Sequence, residues 1–160
     1  MERVNRILQH EAFLWHMREN GTAEKERIFC RHDMAHFLDV ARIAMIINLQ
    51  EGLELPQDMI YGAALLHDIG RHEQYHTGIP HEIASARIAP DILADCGYAP
   101  EEIHRITEAI LLHRDGESGS RRDLAGVLYR ADKASRACFA CMASGQCSWK
   151  EEKKNHHLYW

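Results

Sequence analysis

The chain reads as an all-α protein, a single-domain helical bundle, and three observations carry that reading. Apolar residues recur at helical spacing, most clearly where His36, Val40, Ile43 and Ile47 follow steps of 4, 3 and 4. No stretch sustains the alternation of period two that a half-buried strand needs. Glycine and proline cluster between the periodic stretches, where they end one helix and open the next. At 160 residues the chain has the length of one domain and can bury a core without disulfides.

The elements follow in order. Val4, Ile7, Leu8 and Leu14 or Trp15 predict a first amphipathic helix ending near Asn20-Gly21. Thr22 is placed to cap a short second helix reaching about Cys30. The third helix carries His36 on its buried stripe and stops at Gly52. Pro56-Gln57-Asp58 opens a fourth, whose run from Ile60 to Leu66 is apolar all round and belongs in the interior. Residues 70–80, with Gly70, Gly78 and Pro80, predict a loop holding His72 and His76. Helix signals resume over about 82–96, although Pro90 should break or kink that segment. Pro100 suits the first turn of the next helix, which runs toward His113. Asp115 to Ser120 predicts a flexible loop, and a last helix, about 121–137, carries Asp132. No internal repeat or interdomain linker is visible. The core is expected over about 28–137, followed by a cysteine-containing segment over 138–160.

The chemistry concentrates at His67-Asp68, which end the apolar run of the fourth helix. Burying an imidazole and a carboxylate together is costly unless something satisfies them, and a cation does so directly. His36 upstream and Asp132 downstream complete two imidazoles and two carboxylates, a donor set suited to divalent iron, manganese, cobalt, nickel or zinc.

These residues, in the segments His36-Phe37-Leu38-Asp39, Leu65-Leu66-His67-Asp68-Ile69-Gly70-Arg71 and Tyr129-Arg130-Ala131-Asp132-Lys133, resemble the HD superfamily of metal-dependent phosphohydrolases. The superfamily's order is His, then His-Asp, then Asp. The resemblance implies an HD-type helical bundle and a metal site made of His36, His67, Asp68 and Asp132. His81 and His113 lie where the binuclear branch holds a second metal, with Asp68 bridging the pair. That arrangement is similar to bacterial dinucleoside-polyphosphate hydrolases and cyclic-dinucleotide phosphodiesterases. The residues alone leave room for His81 as a helix cap and His113 as a solvated helix end. The implied activity is hydrolysis of a phosphoester or phosphoanhydride of a nucleotide-like substrate by metal-activated water, with Asp68 as a catalytic residue. The competing class is a non-catalytic HD-type module that senses a nucleotide or a metal.

Arg71 and Lys133 sit next to expected ligands, and either could steady phosphate oxygens. His32, one turn before His36, matches a proton-donating histidine of related phosphodiesterases, but its position near a helix start favours exposure. His10, His16, His104, His156 and His157 are expected to be solvated.

Composition narrows the partners. The net charge of -5 argues against a general nucleic-acid binder and leaves a small phosphorylated molecule as the expected partner. No apolar run of about 18 residues exists to span a membrane, and the charged Met1-Glu2-Arg3-Val4-Asn5-Arg6 start lacks a signal-peptide core, so a cytoplasmic setting is expected. Disulfides are then out of place among the five cysteines. Cys30, Cys138, Cys141 and Cys147 could instead close a structural zinc site or hold an iron–sulfur cluster, or simply pack.

Overall fold

The structure is a computed structural model that describes residues 1–158, so the last two residues of the segment expected over 138–160 lie outside the described residues. Eight α-helices and no strand are found among them: α1 (Glu2–Gln9), α2 (Glu11–Ala23), α3 (Met34–Glu51), α4 (Gln57–Leu66), α5 (Arg71–Thr77), α6 (His81–Asp95), α7 (Pro100–Leu112) and α8 (Leu124–Ala134). The fold is all-α, as the periodicity predicts.

Helix α4 is the axis of the bundle. Met59, Ile60 and every residue from Gly62 to Leu66 are buried, because α3, α7, α8, α6 and α1 all pack around it. A helix apolar on every side has no solvent face to keep. Phe37, Val40, Ala41, Ala44 and Ile47 of α3 join this core, as do Ile106, Ala109 and Ile110 of α7 and Val127, Leu128 and Ala131 of α8. Gly52 ends α3 in the left-handed region at φ 60, a conformation that costs a residue without Cβ little. Asp123 caps α8 by accepting a hydrogen bond from Gly126 N at 3.0 Å.

Several expectations need correction. The first helix is two, because His10 turns to an extended conformation and its Nδ1 accepts from Ala12 N, capping α2. Helix α2 then runs past Gly21 to Ala23, and no helix spans 22–30; residues 24–33 are irregular. Thr22 does not cap, since its hydroxyl bonds back to Arg18 O inside α2. The expected loop over 70–80 contains α5, which ends at Gly78 with φ 79. Its sequence, RHEQYHT, has no apolar stripe to betray a helix. Tertiary hydrogen bonds hold it instead: Asn20 accepts from His72 N at 2.8 Å and donates to Asp68 O at 3.0 Å. Pro90 does not end α6; burial of Ala84, Ala86, Ala89, Ile92 and Leu93 outweighs the lost backbone bond. Residues Gly116–Ser120 form a 3-10 turn with Ser118 buried, and the last helix is shorter than 121–137.

Candidate metal centre

Four elements aim side chains at one point. His36 comes from the first turn of α3, His67 and Asp68 from the end of α4, His81 from the start of α6, and Asp132 from α8. His113 follows the end of α7. All six are at least nine-tenths buried by side chain. Gly70 makes the approach of α6 possible, because a Cβ there would lie 2.7 Å from Ser85 N and 2.8 Å from Ala84 Cβ. Its N–H also donates to Ser85 Oγ at 3.0 Å, tying the end of α4 to α6.

Three of the imidazoles share one arrangement. His67 Nδ1 donates to Ala64 O at 2.7 Å, and His113 Nδ1 donates to Ile110 O at 2.6 Å. His36 Nδ1 donates to Ser135 Oγ at 3.3 Å, the hydroxyl being spent on Asp132 O. His81 Nδ1 lies 2.5 Å from Gln74 Oε1 and 2.6 Å from Arg71 Nη1, so both side chains fix the orientation of its ring. The carbonyl and hydroxyl acceptors place a proton on Nδ1 of His36, His67 and His113, and all four rings aim Nε2 at the centre, the orientation a metal-binding histidine needs.

Those Nε2 atoms converge on two carboxylates in two groups. His36 and His67 stand 3.8 and 3.2 Å from Asp68 Oδ2, and 3.5 and 3.8 Å from Asp132 Oδ1. His81 and His113 stand 3.0 and 3.5 Å from the other oxygen, Asp68 Oδ1. Within each group the donor atoms lie within 4.8 Å of one another, so His36, His67, Asp68 and Asp132 could hold one cation and Asp68, His81 and His113 a second. The polar atoms of this interior are not satisfied by protein: His36 Nε2, His67 Nε2 and Asp68 Oδ1 are buried with no hydrogen-bond partner. Protein interiors rarely leave such atoms unpaired, and a divalent cation on a mixed imidazole–carboxylate set fits them.

The electrostatics agree. Burial alone would raise the Asp68 carboxyl, but His67 and His32 hold it well below the usual carboxylate range. Burial likewise opposes ionisation of Asp132, and Arg136, His67 and Lys133 outweigh it. Lys133 Nζ lies 2.6 Å from Asp132 Oδ2, and Arg136 donates to Oδ1 at 2.9 Å. Burial pushes His67 down while Asp68 and Asp132 pull it up, to about 10. A proton on His67 thus supplies the positive charge that these carboxylates demand when no cation does.

A family model for the HD domain matches residues 34–139, about two thirds of the chain and all six of these residues. The chain belongs to the HD-domain family. An uncharacterized protein of Clostridium beijerinckii is 46% identical over 160 residues, covering all of both chains. No solved structure matches the chain.

Other residues around the HD centre depart from expectation. His32 is buried, not exposed: its Nδ1 donates to Glu24 Oε1 at 2.5 Å and its Nε2 lies 3.5 Å from Asp68 Oδ2. Glu24 also accepts from His32 N and from Tyr75 Oη, which makes it the anchor of this ring. Neither Glu24 nor Gln74 is legible in the sequence: Glu24 falls in a stretch that reads as helix and Gln74 in one that reads as loop, and neither spacing points to a histidine. Arg136 is legible, being one helical turn past Asp132. His16, expected to be solvated, is half-buried; it meets the buried His72 at 2.8 Å, and burial pushes it down to about 4. His104, His156 and His157 are exposed as expected.

Among the described residues no cysteine joins a group of three donor atoms within 4.8 Å of one another, and Cys30, Cys138, Cys141 and Cys147 are free thiols, each partly buried. Hydrogen bonds hold the segment after α8: Asn155 binds the end of α8, and Lys154 Nζ donates to Ser144 O at 2.8 Å.

A half-open cleft of about 830 Å³ leads to the centre, with Asp68, His81, His113 and Asp132 on its surface. Eight arginine and lysine side chains border it against three carboxylates, among them Arg71, Arg114, Lys133 and Lys150. A chain of net charge -5 therefore concentrates positive charge around its most acidic interior. No helix among the described residues is long and apolar enough to cross a membrane.

Proposed function

We propose that the chain is a metal-dependent phosphohydrolase that cleaves a phosphoester or phosphoanhydride of a small nucleotide-like molecule. The observation that carries this reading is the convergence of four Nε2 atoms, each aimed by a bond at Nδ1, on the two oxygens of Asp68 and on Asp132, beneath a cationic cleft. His36, His67, Asp68 and Asp132 would hold one divalent cation, and His81, His113 and Asp68 would hold a second. When bound, such cations act as Lewis acids toward a phosphoryl oxygen and make water acidic enough to ionise near neutral pH.

The chain's own groups do the rest. Asp68, kept ionised in the interior, orients the attacking water and takes up its hydrogen bond. Arg71 borders the cleft with its Nη1 on Gln74 Oε1 at 2.9 Å, and its buried Nε has no partner. Its guanidinium charge, in the wall of the cleft, can offset the charge of a phosphate bound there. Lys133 holds Asp132 in its ionised form and stands in the same wall, where it balances charge building on phosphate. His32, its Nδ1 donating to Glu24, presents Nε2 to the cleft as a hydrogen-bond acceptor and can orient a water or a substrate hydroxyl there.

Manganese-loaded protein assayed against a panel of phosphomonoesters, phosphodiesters and phosphoanhydrides tests the reading. Turnover should vanish on chelation and return with metal, and hydrolysis in oxygen-18 water should place the label on phosphate. Stoichiometric metal without turnover on any member of the panel would make the chain a binding module instead.

A further inference from the structure

The segment after α8 lies outside the matched HD region for all but its first five residues, yet it forms one wall of the cleft. Its return over the bundle is built, not incidental. The end of α8 leaves carbonyls without helical partners, and Asn155 Nδ2 donates to three of them: Lys133 O at 2.7 Å, Arg136 O at 2.9 Å and Ala134 O at 3.3 Å. That anchor sets Ser148, Trp149 and Lys150 along the same cavity as Asp68, His81 and Asp132.

Trp149 is half-buried there, with the Arg136 guanidinium 5.1 Å and the Lys133 ammonium 6.0 Å from its ring centroid. Both cations are the ones bonded to Asp132. Reading outward from the centre, the wall is a metal donor, then two cations, then an indole face. A ligand matching that order is anionic at one end and flat and aromatic at the other. Phosphate fits the inner part and a nucleobase fits the outer part.

We propose that Trp149 is the base platform of a nucleotide subsite, so that the C-terminal segment sets substrate choice in favour of nucleoside phosphates over base-free phosphates. The inference deepens the phosphohydrolase reading and rests on it for the direction in which the phosphates point. Stacking on a tryptophan changes affinity on the order of ten- to a hundredfold and tolerates any base, because every base has a π face.

Equilibrium binding of ADP and of inorganic pyrophosphate to the manganese-loaded protein separates the two parts of the subsite. ADP should bind at least about tenfold more tightly than pyrophosphate, which carries the diphosphate without the base. Trp149→Ala should weaken ADP by about tenfold or more and leave pyrophosphate within about twofold, while Trp149→Phe keeps most of the ADP affinity. Asn155→Ala, which frees the segment without touching the ring, should reproduce the selective loss. Equal affinity of the wild type for the two probes, or equal weakening of both by Trp149→Ala, would overturn the proposal. Turnover distinguishes it from the broader reading. If no phosphoester is hydrolysed but the ADP effect appears, the subsite stands and the hydrolase reading falls. If base-free esters are hydrolysed and Trp149→Ala leaves ADP binding unchanged, the reverse holds.

Discussion

Gly70→Ala sets two physical effects against each other, and the structure says which wins. Gly70 sits at φ -89 and ψ 14, which alanine adopts freely, so the backbone argument alone favours alanine by about 0.4–1 kcal/mol through a stiffer unfolded chain. Space argues the other way. The added Cβ would lie 2.7 Å from Ser85 N and 2.8 Å from the backbone carbon and Cβ of Ala84, against the 3.5–4.0 Å of ordinary contact, so α6 must withdraw by about 1 Å. Overpacking of this kind costs about 1–3 kcal/mol. The withdrawal also stretches the bond from Gly70 N to Ser85 Oγ, costing about 1 kcal/mol more. The net loss is about 1–3 kcal/mol, a fall of about 3–10 °C in melting temperature for a domain of this size. Because His81 opens α6, its Nε2 moves away from Asp68 Oδ1 while His36, His67 and Asp132 stay in place. Melting curves of the metal-free chain and manganese stoichiometry by elemental analysis check both parts. The variant should melt lower and lose the ion held through His81 and His113 first. A variant melting at or above the wild type, with two ions bound, would refute the steric reasoning.

Most of the bundle was legible because its helices advertise themselves by apolar periodicity and by proline and glycine at their ends. The same logic places His36, His67, Asp68 and Asp132 together, since each rides a buried stripe or ends a buried helix. What stayed hidden is held by polar contacts distant in sequence. Helix α5 has no apolar face and depends on Asn20, some 50 residues away. Glu24 and His32 meet across an irregular stretch, so neither could be assigned a partner from spacing, and His32 looked exposed for want of one. Trp149 and Asn155 belong to a segment whose only obvious feature was its cysteines. The amide of Asn155, which binds the helix-end carbonyls, has no spacing or motif to mark it. Polar networks follow no period, which is why a sequence reading finds the core before it finds the shell around the site.

Asp68→Asn should abolish binding of both ions together, because its two oxygens serve the two donor groups separately, whereas His113→Ala should cost one ion only; an Asp68→Asn protein retaining stoichiometric metal would sink the bridging role. Glu24, opposed by burial but held down to about 2 chiefly by His32, contributes stability that is present above about pH 4.5 and lost as pH falls toward 2. The stability gap between wild type and Glu24→Gln, up to about 3 kcal/mol, should therefore shrink across that window in denaturant titrations. The last prediction concerns His67, which burial pushes down but Asp68 and Asp132 raise to about 10 in the metal-free chain. Its folded pKa lies above the unfolded value of about 6.5, so this proton stabilises the metal-free fold fully below pH 6.5 and ceases to as pH rises through 10. A cation can take Nε2 only after that proton leaves, so each pH step below 10 should raise apparent manganese affinity about tenfold from this group alone. Calorimetry at pH 8 in buffers of different ionisation heat should register about one proton released with the first ion. Affinity that stays flat from pH 7 to 9, with no proton released, would mean that His67 is neutral before metal arrives and that the two buried carboxylates are balanced by Lys133 and Arg136 alone.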